Sequence, residues 1–150
     1  MADEKYVTAS SFSLSGGSLG GTIAVKSFSG LEMNVEVSGT SAGNQVGAKR
    51  KLEPKPGPTK PGTPTFVCPI PKGDKKLATW WKKLNPNDKP GDYKPEDLTF
   101  SFIGGSGPVA EWQLKGVFPM KYQVSDADSD SSDLATETIQ LCVTEINREK

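Results

Sequence analysis

An alternation running from Ala110 to Val124 constrains this chain more than any other feature. Even positions read Ala110, Trp112, Leu114, Gly116, Phe118, Met120, Tyr122 and Val124. Odd positions read Glu111, Gln113, Lys115, Val117, Pro119, Lys121, Gln123 and Ser125. Successive side chains of a strand point to opposite faces, so this parity is a strand with one apolar face, or two strands in line. Gly116 and Pro119 are the positions where such a strand bends.

The same period recurs elsewhere. Leu98, Phe100 and Phe102 alternate with Thr99, Ser101 and Ile103, and Ile139, Leu141 and Val143 alternate with Thr138, Gln140, Cys142 and Thr144. Phe12 and Leu14 alternate with serines, and Ile23 to Val37 forms two strand-like segments broken around Ser29-Gly30. Thr65 to Ile70 reads as a short strand that Pro69 and Pro71 confine to an edge or a strand end. One helix is expected, about residues 74–84. Asp74 is a suitable cap, and Leu77, Trp80, Trp81 and Leu84 fall at i, i+3, i+4 and i+7, the stripe that docks a helix on a sheet. Residues 40–64 read as a long Pro/Lys-rich loop, since proline cannot donate to a sheet ladder. The expected fold is mainly β: a two-sheet antiparallel barrel or sandwich with one flanking helix, as a single domain over residues 1–150.

Composition narrows the chemistry. The 150 residues contain no histidine, which excludes Ser-His-Asp and Cys-His catalysis and every His-ligated metal site. Cys68 and Cys142 form no CxxC motif and read as two buried thiols of a reduced compartment, with a disulfide left open. No segment approaches the ~18 apolar residues of a membrane-spanning helix, and the N-terminus lacks a signal-peptide pattern.

One cluster has metal-ligand spacing. Asp126, Asp128, Asp130 and Glu137 stand at positions 1, 3, 5 and 12 of an EF-hand loop. Position 6, which needs glycine, is Ser131, and the flanks are strands, so a solvated hairpin loop is the reading and no metal or other cofactor is expected. Nothing apolar near the Asp residues of this hydrophilic loop would raise a pKa toward that of a general acid, so an enzyme is not expected either. The basic run Lys49-Arg50-Lys51 lacks interleaved aromatics for base stacking, and nucleic acid is not a predicted partner.

The 18 basic and 18 acidic side chains cancel, but not locally. Residues 45–95 hold 12 basic against 4 acidic side chains, and residues 96–137 hold 2 against 8. Such polarity suits a molecule that meets copies of itself. The residues singled out for subunit assembly are Lys49, Arg50, Lys51, Lys55 and Lys60 on one side and Asp126, Asp128, Asp130 and Asp133 on the other.

Residues 107–143 carry a resemblance. Pro108-Val109, Trp112, Leu114, Pro119 and Lys121, followed through a polar loop by Ala135, Glu137 and Leu141, are similar to the C-terminal half of the tail-tube proteins of contractile phages and contractile injection systems. Ser29-Gly30-Leu31-Glu32 resembles that family's Ser-Gly-Leu-Glu segment, and Leu77–Trp81 falls where the family keeps a helix with a Trp. Pro71-Lys72-Gly73 stands in place of the family's Lys-Arg-Gly, and the Asp/Ser run replaces its Asn-Ala turn.

The resemblance implies a structural, non-catalytic subunit of an inner tube, built as stacked six-membered rings inside a contractile sheath and conducting cargo or a spike when the sheath fires. Its implied partners are copies of itself, the sheath, baseplate and spike components, and lumenal cargo. Hcp-type secretion tubes share that architecture. The implied place of assembly is the cytoplasm, into a phage tail-like particle that is released or anchored. In this reading the 40–64 segment is the arm that reaches the next ring. The competing reading is a monomeric ligand-binding β-barrel.

Overall fold

The computed structural model describes residues 6–7, 11–40, 53–84, 94–124 and 134–150. Ten strands and one α-helix lie within them. The strands are β1 (Ser11–Ser15), β2 (Thr22–Val25), β3 (Ser27–Ser29), β4 (Met33–Thr40), β5 (Glu53–Pro61), β6 (Thr65–Pro69), β7 (Glu96–Gly104), β8 (Gly107–Val124), β9 (Thr136–Cys142) and β10 (Glu145–Arg148), and the helix α1 is Lys76–Leu84. Every pairing is antiparallel. The main ladder runs β2-β1-β7-β8-β9-β6-β3, with β10 on the free edge of β8, while β4 and β5 pair only with each other.

This order describes two sheets sharing one strand. The first half of β8 pairs with β7, from Pro108 to Val117, and the second half pairs with β9, from Phe118 to Val124. At the other end of the ladder β2 and β3 are consecutive in the chain, and Lys26 between them donates its N–H to Val67 in β6 at 2.7 Å. The ladder therefore doubles over as a sandwich; among the described residues it does not close into the barrel that was the other form of the expectation.

The long alternation of β8 is one continuous strand, but its parity does not hold. Ala110 and Leu114 are buried, then Val117 and Pro119, and Phe118 is only partly buried while Met120 is 48% exposed. The buried parity thus switches at Gly116, where φ is +62°, a left-handed conformation that costs glycine nothing. A second register shift falls between Pro119 and Lys121. These bulges are what carry one strand from the first sheet into the second.

Aromatic rings from the two sheets meet in the core. Phe28 of the second sheet lies 5.2 Å from Phe12 and 4.7 Å from Phe100 of the first, both edge-on, and Phe66 lies 5.0 Å from Phe100. Edge-to-face pairs at this spacing contribute about 0.5–1.5 kcal/mol beyond their area burial. The helix forms where the periodicity places it. The Asp74 carboxylate accepts the N–H of Lys76 at 3.0 Å, and Leu77, Trp80 and Leu84 are buried. Trp81 is only partly buried, its ring 6.3 Å from that of Tyr122. Both cysteines are free thiols, Cys68 buried and Cys142 half-buried.

One expectation about the 40–64 segment is corrected. Residues 53–61 are not loop but strand β5, paired with β4 from Thr40↔Glu53 to Met33↔Pro61. The sequence argument assumed that proline excludes a ladder, yet proline is excluded only where its N–H would face the partner. Pro54, Pro56 and Pro61 oppose Gly39, Val37 and Met33, all odd positions of β4. In an antiparallel pair every second pair exchanges no hydrogen bonds, so there the missing donor costs nothing. The fourth proline, Pro58, sits in the bulge between Val35 and Val37.

Candidate assembly surface

The β4–β5 ribbon stands apart from the main ladder, and its two faces differ. Directly opposed residues of an antiparallel pair share a face. One face therefore carries Met33, Val35 and Val37 of β4 with Pro61, Thr59 and Pro56 of β5. Those three aliphatic side chains are 58%, 44% and 69% exposed, although each alternates as a core residue would. The opposite face carries Asn34, Glu36, Lys55 and Lys60, with Lys60 Nζ bonded to Glu36 Oε1.

Local chemistry explains the ribbon's shape. Gly57 lies in the bulge, where an added Cβ would sit 2.7 Å from the carbonyl oxygen of Glu36, so no larger residue fits without moving backbone. At its base the ribbon is anchored: Gly62 donates its N–H to the Glu32 carbonyl at 2.7 Å, and Leu31 packs against the core. The next strand begins at once, with Pro64 buried and its carbonyl accepting the Leu141 N–H at 2.9 Å.

Of the residues singled out in the sequence, Lys55 and Lys60 lie on β5, four and nine residues into the chain beyond Lys51. Lys49, Arg50, Lys51, Asp126, Asp128, Asp130 and Asp133 lie outside the described residues. Glu137, the twelfth position of the EF-hand spacing, is 8% exposed in β9 and accepts the Tyr122 hydroxyl at 2.5 Å. Among the described residues no group of three or more Cys, Asp or Glu side chains could hold a metal ion. No described helix is long and apolar enough to cross a membrane.

Sequence reasoning missed the apolar residues Met33, Val35 and Val37, which it assigned to a strand face without a partner in view. A signal was present: a strand read as half-buried, followed by prolines whose spacing of two matches a ladder in which every second N–H is idle.

The family profile described as T4-like virus tail tube protein gp19 matches residues 9–147. The chain belongs to this family. The tail tube fold is also that of solved structures at low identity. The sheath-tube complex of an extracellular contractile injection system, PVC, in its extended state contains a chain with TM-score 0.80 and 20% identity, over 97% of this chain and 93% of that one. The tube-terminating cap of the anti-feeding prophage gives TM-score 0.78 and 17% identity, over 99% and 94%. Hcp1 from Flavobacterium johnsoniae gives 0.54 and 16%, over 92% and 94%. No curated protein sequence matches. As a member of the tail tube family, the chain is a tube-building subunit, and the monomeric ligand-binding barrel is not favoured.

Proposed function

We propose that copies of this tail tube protein form six-membered rings that stack into the inner tube of a contractile particle, and that the β4–β5 ribbon is the arm joining one copy to another. The exposed apolar face of the ribbon carries the reading. Three adjacent aliphatic side chains in water are unfavourable by about 25 cal/mol per Å² of apolar surface, and soluble monomers rarely leave such rows open. Contact with a second copy removes that cost, and a heterologous contact that repeats along an axis gives a filament.

The relatives are consistent with sheath and baseplate as further partners, since they come from a sheath-tube complex and from the baseplate of the anti-feeding prophage. The subunit is structural and non-catalytic in this reading, and the particle it serves is phage tail-like. Lys49, Arg50 and Lys51 lie between the two ribbon strands in the chain, so they arrive with the arm, and Asp126, Asp128, Asp130 and Asp133 supply opposite charge on a neighbour. Lys60 is already held by Glu36, which leaves the apolar face as the main contact.

Replacing Val35 and Val37 by Asp tests this directly. The double variant retains the wild-type melting temperature but elutes as a smaller species by light scattering and yields no rings or tubes under the electron microscope. Wild-type rings from this variant, or a wild-type chain that stays monomeric at high concentration, refutes the proposal.

A further inference from the structure

A second feature, separate from the ribbon, has the character of a ligand site. A cleft of about 250 Å³ opens between β2, the turn that joins β6 to α1, the first turn of α1, and β9. Its walls are apolar where Ile23, Pro69, Pro71 and Leu77 line it, and acidic where Asp74 and Glu137 do. Lys76 also lines it, but its ammonium is engaged 2.8 Å from Oδ2 of Asp74, whose other oxygen accepts the Lys76 N–H.

Glu137 is the unusual member. Its side chain belongs to a residue only 8% exposed, and among the described residues the sole donor to it is the neutral hydroxyl of Tyr122, which takes Oε2. Among the described residues none is seen to donate to Oε1, and Glu137 is one of the residues that line the cleft. A carboxylate so far removed from water is ordinarily paired with a cation, because burying an uncompensated charge costs several kcal/mol. The cation nearest to hand in the cleft is spent on Asp74. Tyr122, its hydroxyl pushed up to about 12 by burial and by Glu137, remains a donor throughout the physiological range and supplies no charge.

We infer that this cleft binds an ammonium or guanidinium group carried on a short apolar stem, with Glu137 Oε1 as its charge partner and Ile23, Leu77 and the two prolines around the stem. The cation is a free amine or the side chain of a lysine or arginine in a second copy of the chain; both present the same chemistry.

Titration of the full chain with n-butylammonium chloride, read by amide chemical shifts of residues 22–24 and 76–77, tests the site. Saturable shifts confined to these residues are expected, with 1-butanol and butyrate binding at least about tenfold more weakly, the ratio that a charge-assisted hydrogen bond confers. Glu137→Gln, which keeps an acceptor for Tyr122, lowers butylammonium affinity by a similar factor; the wild-type preference for the ammonium over the alcohol provides the same information if that variant does not fold. Light scattering separates the two sources. Butylammonium depresses assembly if the natural cation belongs to a second copy, and leaves it unchanged if the natural ligand is a free amine. Absence of saturable butylammonium binding, or equal binding of 1-butanol, overturns the inference whether or not the chain builds tubes. A chain that binds butylammonium but never assembles upholds the site and counts against the tube reading alone.

Discussion

The indole N–H of Trp80 donates to Oε2 of Glu96 at 3.1 Å, tying the fully buried face of the helix to the start of β7. The same carboxylate accepts the Ser18 N–H at 2.7 Å and the Ser18 hydroxyl at 2.6 Å. Glu96 thus joins three parts of the chain: the turn between β1 and β2, the helix and the central sheet. Removing it strands an indole N–H in the core and a backbone N–H in the turn, each worth about 1–3 kcal/mol when left without a partner. Glu96→Ala is accordingly expected to lower the free energy of unfolding by about 3 kcal/mol in urea. A loss below about 0.5 kcal/mol would show that the carboxylate only decorates the turn.

The same node sets an acid limb. Burial opposes the charge on Glu96, but the hydrogen bonds from Ser18 and Trp80, aided by the charge of Lys83, outweigh it and hold the carboxyl below its usual value of 4.5. A carboxyl with a depressed folded pKa contributes stability that is present above 4.5 and disappears as pH falls through the folded value, because the unfolded chain takes up the proton first. Unfolding free energy measured from pH 6 downward should therefore fall less steeply below about pH 4.5 in Glu96→Gln than in the wild type. Parallel acid limbs for the two proteins would contradict this.

At the alkaline end the sign reverses. Burial, with the charge of Glu137 behind it, raises the Cys68 thiol from 9.0 to about 12. The unfolded chain loses this proton first, so the stability it confers is complete below pH 9 and is lost as pH rises through the folded value. Tyr122 adds a second contribution from pH 10 upward, raised by burial and by its bond to Glu137. Guanidinium melts between pH 8 and 11 should show a decline that is shallower in Cys68→Ala, even though that variant begins less stable. Equal slopes would mean that the thiol is not shielded.

Gly116 holds the bend that moves β8 between sheets. With φ at +62°, a Cβ there would lie 2.4 Å from Thr144 Oγ1 and 2.9 Å from Thr144 Cβ, in contact with a hydroxyl that itself donates to the Gly116 carbonyl at 3.2 Å. Left-handed backbone alone costs an L-residue about 1–2 kcal/mol, before the clash. Gly116→Ala is expected to lose about 2 kcal/mol or more in denaturant unfolding, and Gly116→Val more than Gly116→Ala. Tolerance of valine would place the bend elsewhere.

Much of the architecture was legible because it rests on local pattern. Helix α1 announces itself through Asp74 and the spacing of Leu77, Trp80 and Leu84, and β7 through the parity of Leu98, Phe100 and Phe102. The strand β8 was legible in extent but not in facing, since parity counted along the chain cannot register that Gly116 inserts a residue and turns Val117 inward. The ribbon was half legible. Its prolines were visible, but their meaning depends on which residues of β4 oppose them, a matter of register. Glu137 carried no local sign of its burial: it looked like the last carboxylate of an acidic run until β9 placed it beside Tyr122.

The sequence by itself determined an antiparallel β protein with one docked helix, chemistry without histidine and a resemblance to tail tubes, because periodicity, composition and motif spacing act over a few residues at a time. Tertiary structure alone decided that residues 53–61 form a ladder, that Met33, Val35 and Val37 face outward, and that Glu137 lines a cleft and accepts the neutral hydroxyl of Tyr122. Each of those depends on which distant segment lies opposite. Met33 and Pro61 become neighbours, and Glu137 becomes buried, only through contacts between strands far apart in the chain, and no short window of residues contains that information.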